Sequence, residues 1–227
     1  MKDRADHREA RTRYLAHHDE AEVAKHEAWA LALDADDHAA LRRDLGRALE
    51  LRPGWSALDA GAGTGALCLA LAPLSGLRLT ALEPCPKMLA RLAAKPALRE
   101  VRAREGFCDH PDDREHFAPG EFDVVLSRQL VNCLLDPLAA FANWRHWLRP
   151  GGHVVVMDGL YRREDWGGSW ADEVDRLPMS VVGTTALVPY LLERSGFRVE
   201  HAGLMVETNA RSSVRTPRYL VVATRDD

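Results

Sequence analysis

The residues best suited to chemistry stand in one short run, Leu58-Asp59-Ala60-Gly61-Ala62-Gly63-Thr64-Gly65, and in the acid Glu83 beyond it. Glycines at alternate positions remove the Cβ atoms that would block a ligand and permit unusual φ/ψ values. A helix that starts there offers free N–H groups, which suit an anionic group. Glu83 follows about 20 residues later, the spacing of an acid that takes a ribose diol at the carboxyl edge of an open α/β sheet. Glycine turn and acid together define a site for a nucleoside-type cofactor. Gly61, Gly63 and Ala66 also satisfy G-x-G-x-x-[G/A], so the turn alone admits a dinucleotide.

Such a site needs a strand before the turn and a helix after it, and the chain alternates accordingly. "SALDA" reads as a short buried strand, "GALCLALAPL" as an apolar helix and "GLRLTALE" as a second strand. "CPKMLARLAA" is a second helix with Pro86 in its first turn. "EVRAREGF" and "EFDVVLS" are further strands. "DPLAAFANWRHWL" is a helix closed by Arg149-Pro150-Gly151-Gly152, and "HVVVMDG" is a fifth strand. This alternation predicts a doubly wound, mostly parallel α/β sheet. After the helix "TTALVPYLLERSGF", the strands "RVEHAG" and "RYLVVATR" follow with no helix between them, and two such strands pair antiparallel at a sheet edge. Residues 3–51 are polar and helix-favouring and read as two or three helices. The last of them, "DDHAALRRDLGRALELRPG", places Leu41, Leu45, Ala48 and Leu49 on one face and stops at Arg52-Pro53-Gly54. The expected organisation is an N-terminal helical lid over 1–52 and a cofactor-binding domain over 53–227, with a substrate-covering insertion over about 159–183.

A net charge of −4 over 227 residues lacks the basic footprint of a nucleic-acid binder. The charged N-terminus has no signal-peptide core, and the longest apolar run is about half the roughly 20 residues of a membrane span. Cys68, Cys85, Cys108 and Cys133 show no C-x-x-C spacing and read as reduced thiols of a cytoplasmic protein, with no metal site expected.

Four segments in order resemble the class I S-adenosylmethionine (SAM)-dependent methyltransferases, in particular the small-molecule branch. They are Leu58–Gly65, then Glu83-Pro84-Cys85-Pro86-Lys87-Met88-Leu89, then Phe122-Asp123-Val124-Val125-Leu126-Ser127, then Leu148-Arg149-Pro150-Gly151-Gly152. The resemblance covers about 55–160 and implies a seven-stranded Rossmann-like sheet with an antiparallel last strand, SAM lying across the strand ends and S-adenosylhomocysteine (SAH) as product. It implies that the amides of the turn at Gly61, Gly63 and Gly65 hold the methionine carboxylate. Asp59 then accepts from loop N–H groups or the SAM ammonium, or acts as a cap. Glu83, followed by Pro84, grips the ribose. Met88 packs near the adenine or is plain core. Cys108 and Asp109 stand where the family reaches the adenine edge, although Phe107 occupies the family's usual acid position. Ser127 and Arg128 line the methyl-transfer centre, Arg128 facing the methionine carboxylate, the substrate or solvent.

No catalytic residue is readable, because methyl transfer from a sulfonium needs positioning first and a general base only for a poor nucleophile. Candidates for the acceptor side and lid are Tyr14, His17, His18, His26, Trp29, Asn132, Asp158, Tyr161, Trp166 and Trp170. Tyr14 and Trp29 either close over SAM or pin the lid to the sheet. "WGGSW" offers aromatic platforms with flexible glycines, which suit a flat substrate or a packed loop. The (N/D)-P-P-(Y/F) motif of exocyclic-amine nucleic-acid enzymes is replaced by "SRQLVN", and Pro84-Cys85 follows the wrong strand for cytosine C5 chemistry. A small-molecule acceptor is therefore expected. A dinucleotide-dependent oxidoreductase and a non-catalytic SAM-binding regulator are the competing readings.

Overall fold

The computed structural model describes residues 4–167 and 170–226; Gly168 and Ser169 of the "WGGSW" stretch lie outside the described residues. Three helices open the chain: α1 (Arg4–His17), α2 (Glu20–Ala32) and α3 (Ala35–Ala48). Asp19 caps α2, and a reciprocal Asp34–Asp37 capping box starts α3. α3 ends at Ala48, short of the stop expected at Arg52-Pro53-Gly54, with Leu49 extended as its C-cap.

The alternating part follows as β1 (Ser56–Ala60), α4 (Ala66–Leu71), β2 (Arg78–Glu83), α5 (Pro86–Ala93), β3 (Arg102–Glu105), β4 (Phe122–Arg128), α6 (Pro137–Trp147) and β5 (Leu148–Gly159). The chain then forms α7 (Leu187–Arg194), β6 (Phe197–Leu204), α8 (Val206–Asn209) and β7 (Arg218–Arg225). The sheet order is β3-β2-β1-β4-β5-β7-β6. Strands β1 to β5 pair in parallel, and β7 slots antiparallel between β5 and β6. The seven-stranded sheet with one reversed strand agrees with the expectation. The four-residue α8 corrects the reading that no helix separates the last two strands. Leu148-Arg149-Pro150-Gly151-Gly152 is also taken into β5, and the β4–β5 register shifts there between Phe122 and Val124.

Successive residues on a strand face opposite sides, so each central strand feeds two cores. Leu58, Val125, Val154, Val156 and Val221 meet Phe141, Trp144 and Trp147 of α6 and Val188 and Leu192 of α7. Ala57, Val124, Leu126, Val155, Leu220 and Val222 meet Leu41 and Leu45 of α3 and Leu67 and Leu71 of α4. Asp123 clamps the amino edge, accepting from Ser56 N (2.8 Å) and Arg149 Nε (2.7 Å). The Asp123 and Arg149 signals thus hold the sheet at the edge opposite the glycine turn. Among the described residues no helix is long and apolar enough to cross a membrane.

The glycine turn follows from this packing. Gly61, Gly63 and Gly65 all have positive φ (69°, 54° and 96°). A Cβ on Gly65 would lie 2.8 Å from Leu98 Cδ1 and 3.0 Å from Leu92 Cγ, whereas one on Gly63 would meet only Met88 Sδ at 3.9 Å. Strain of this kind costs on the order of 1–3 kcal/mol. Gly65→Ala is therefore expected to lower the unfolding free energy in urea by roughly that amount and clearly more than Gly63→Ala. Equal losses would show that Leu92 and Leu98 yield freely.

Candidate functional site

The glycine turn, the end of β2 and the end of β4 meet at the carboxyl edge of the sheet. Gly61 N and Ala62 N donate to Leu82 O, and Gly65 N donates to Ala62 O. Gly63 N donates to Glu83 Oε2 at 3.0 Å, while Glu83 Oε1 accepts from Cys85 N at 2.9 Å. Glu83 is fully buried, and burial pushes its carboxyl up to about 7, opposed by these two N–H groups. Pro84 is partly buried at the exit of β2, and Met88 is buried against Val23 and Cys85.

Asp59 is buried on β1: its Oδ2 accepts from Cys68 Sγ (3.1 Å) of α4, and the Gly63 N–H of the loop serves Glu83. Burial raises Asp59 to about 7, with the Cys68 thiol and the charge of Arg128 opposing. Asp59 Oδ1 and the buried Ser127 Oγ have no partner among the described residues. Cys108 is buried, and its carbonyl accepts from Asn143 Nδ2 at 3.0 Å.

Asp109 is already committed. Its Oδ1 accepts from Arg11 Nη2 (2.9 Å) with His7 Nε2 at 3.5 Å, and its Oδ2 accepts from Leu135 N (2.8 Å). Arg11 also pairs with Asp113 and lies over the Phe107 ring, 4.4 Å from its centroid. Although burial opposes it, the contacts of His7 and Arg11 hold the Asp109 carboxyl below its ordinary range. Helix α1 is thereby latched across the strand ends. Sequence reasoning missed His7 and Arg11. The available signal was spacing, because His7, Arg11, Tyr14 and His18 recur every three or four residues on one helical face.

The latch seats Tyr14 in the crevice. Burial lifts its hydroxyl well above the ordinary value, and the charges of Glu83 and Asp109 add to this. Its ring meets Phe107 at 5.7 Å, Trp170 at 6.3 Å and His18 at 4.2 Å. His18 is buried, with Nδ1 2.8 Å from Tyr14 O. A carbonyl can only accept, so Nδ1 carries the proton and Nε2 keeps its lone pair. Burial depresses His18 to about 4. His17 packs against Trp170 at 4.3 Å. Trp29 departs from the expectation of an inward aromatic: it is 55% exposed, flanked by Lys25 and His26.

Beyond β5, Trp166 joins Trp170 (6.0 Å) and Tyr161 (5.5 Å), and Trp170 Nε1 donates to Glu22 of α2 at 3.3 Å. An aromatic wall thus connects the first helices to the segment after β5. Asp158, pushed by burial to about 6, accepts from Gly159 N (2.7 Å) and Asn132 N (3.2 Å). Asn132 Oδ1 is buried and has no partner among the described residues. Arg128 caps β4, and Gln129 follows it in the left-handed region (φ 56°) with its amide donating to Tyr161 Oη at 2.8 Å.

With this geometry in view, the chain can be set beside known proteins. Residues 58–156 match the family model described as "Methyltransferase domain". The chain is 32% identical over 106 residues to ubiquinone biosynthesis O-methyltransferase of Xanthomonas campestris, covering 46% of this chain and 43% of that protein. It therefore spans less than half the length of the curated relatives it matches. A SAM-dependent methyltransferase from Aquifex aeolicus superposes with TM-score 0.63 at 17% identity, covering 91% of this chain and 98% of that one. Phosphoethanolamine N-methyltransferase 2 of Haemonchus contortus, solved with SAM, superposes with TM-score 0.60 at 18% identity, covering 83% and 52%.

The latch makes a testable demand. Arg11→Met should destabilise the fold by about 1.5–3 kcal/mol, the worth of hydrogen bonds to a charged group, and expose α1 to limited proteolysis. The Asp109 carboxyl is lowered in the folded chain, so its contribution is present above its unfolded value near 3.8 and lost as pH falls through the folded value. Wild-type α1 should accordingly become protease-sensitive only in strong acid, and Arg11→Met at pH 7. Equal resistance of both proteins at pH 7 would contradict the latch.

Proposed function

We propose that this chain is a SAM-dependent methyltransferase acting on a small-molecule acceptor. The reading is carried by Glu83, a buried carboxylate braced by Gly63 N and Cys85 N at the carboxyl end of β2, in a sheet closed by an antiparallel β7. That reversed strand argues against the dinucleotide-dependent oxidoreductase.

The residues present suit such a cofactor. Each Glu83 oxygen spends one lone pair on the backbone and keeps another for a ribose hydroxyl. Asp59 Oδ1 and Ser127 Oγ are buried acceptors whose isolation is costly, and an ammonium and a hydroxyl group would satisfy them. Met88 and Cys108 offer apolar surface on the adenine side, and Asp109 borders it while holding Arg11. The amides of Gly61, Ala62, Gly63 and Gly65 are spent inside the turn, which leaves the methionine carboxylate to other donors. When bound, the sulfonium supplies an activated methyl group for in-line displacement.

The chain's own work is orientation and exclusion of water. Tyr14, Trp166 and Trp170 wall off the strand ends. His18 stays neutral with a lone pair at Nε2, since its Nδ1–H is spent on Tyr14 O, and burial, which depresses it to about 4, leaves it a hydrogen-bond acceptor rather than a strong base. The four free cysteines and the slightly acidic charge are in keeping with a cytoplasmic enzyme that does not act on nucleic acid.

The test supplies SAM labelled in its methyl group together with a fractionated small-molecule extract. Label should enter a small-molecule fraction as SAH is released; label confined to added nucleic acid, or none transferred from any extract, would contradict the reading. Glu83→Gln should weaken SAH binding by on the order of 1–3 kcal/mol, the cost of a lost charge-assisted hydrogen bond. Folded Glu83 titrates near 7 against 4.5 for an ordinary glutamate, so the ligand-free protein holds an extra proton between those values. Its burial therefore erodes stability as pH rises from about 4.5 to 7. Glu83→Gln removes that slope, and a variant that keeps both the slope and the SAH affinity would take Glu83 out of the site.

A further inference from the structure

We propose that Arg128 and Arg218 form an anion subsite for the methyl acceptor, so that the acceptor carries a carboxylate or a phosphate. The inference rests on the methyltransferase reading and adds the chemical class of the substrate.

Arg128 ends β4, Arg218 begins β7, and Met157 of β5 lies between them, with Arg128 paired to Met157 and Gly159 to Arg218. Strand alternation puts these three on the face covered by α3 and α4, because Leu126, Val155 and Leu220 point there. They line one cavity of about 70 Å³ together with His38. A water needs only about 10–15 Å³ of such space, so a carboxylate or phosphate group fits.

Of the three guanidiniums that line this cavity, Arg211 is paired with acids, whereas Arg128 and Arg218 are not paired with any among the described residues. Among the described residues the Arg128 guanidinium has no hydrogen bond and no carboxylate within 4.0 Å, whereas Arg11, Arg149 and Arg211 each hold a carboxylate. The Arg218 guanidinium bonds the neutral hydroxyl of Tyr161. Asp37, the acid on the cavity wall, is spent on Arg211 and Ser213. Asp59 and Asp158 act on Arg128 only at longer range, and Arg218 repels it. His38 Nε2 is buried without a partner among the described residues and faces the same space. Two guanidiniums kept together without an acid cost stability, which argues for a ligand that repays it. The backbone beside them is strained, since Gln129 is the single described residue other than glycine with positive φ. Its N–H bonds Met157 O at 2.8 Å, which fixes the turn that aims Arg128.

Position separates this subsite from the ribose end. Glu83 ends β2, and Met157 on the cavity wall belongs to β5, three strands away in the sheet order. At strand spacing that is about 14 Å. The cavity also touches Ala66 at the start of α4, so the subsite lies beside the glycine turn on the α3–α4 face, away from the ribose end.

The test titrates wild type, Arg128→Met and Arg218→Met calorimetrically with SAH, and then with inorganic phosphate and with acetate, each with and without SAH. Wild type should bind at least one anion, and both variants should bind it on the order of 10-fold more weakly while SAH affinity stays within about two-fold. The anion bound more tightly distinguishes a phosphate acceptor from a carboxylate one. Removing the unpaired Arg128 charge should leave the thermal midpoint unchanged or raised, so that variant remains measurable even where loss of the Arg218–Tyr161 bond lowers the other. No anion binding by wild type, or undiminished binding by both variants, would overturn the subsite. So would loss of SAH affinity in Arg128→Met, which assigns that guanidinium to the cofactor's own carboxylate. Failure of wild type to bind SAH would instead overturn the methyltransferase reading, and the anion titrations without SAH would still decide the subsite.

Discussion

The carboxylate of Glu83 joins the two walls of the crevice, and the rest of the site depends on that join. One oxygen holds Gly63 of the turn after β1, and the other holds Cys85 at the start of α5. Both bonds run through backbone N–H groups, so they position main chain rather than mobile side chains. They also explain why an acid can remain buried at the end of a strand, directly after Ala81 and Leu82. The desolvation cost appears as a raised carboxyl, and the same cost makes an incoming pair of hydroxyl donors favourable.

A second layer of buried charge closes the crevice from above. Arg11 reaches from α1 to Asp109 and Asp113, and Trp170 reaches from the segment after β5 to Glu22 on α2. Between these anchors stand Tyr14, His18 and Trp166. Both anchors are polar and directional, while the surfaces they bring together are aromatic. A wall of this kind excludes water without sealing the site permanently, because each anchor can exchange its partner for solvent.

Much of the sheet was legible because its signals are local. Apolar alternation, Pro86 in the first turn of α5 and Gly196 after α7 mark elements that the structure contains. The turn from Gly61 to Gly65 was legible for the same reason, since positive φ leaves a glycine imprint on the sequence. Contacts across long separations were not. Nothing in "MKDRADHREARTRY" announces that Arg11 meets Asp109, 98 residues away, except the helical spacing of its neighbours. The bond from Cys68 on the next helix to Asp59 was likewise not legible in the sequence. Trp29 reads like any lid aromatic, and only the rotation of α2 turns it outward. The role of Arg218 could not be read from "RYLVVATR", because it depends on β7 running antiparallel beside β5.

The proposed function requires that the crevice take a nucleoside sulfonium rather than a dinucleotide. The most direct measurement is calorimetric titration of the purified chain with SAM and, separately, with NAD. The account predicts saturable binding of SAM and none of NAD over the same concentration range. Binding of NAD without binding of SAM would contradict it.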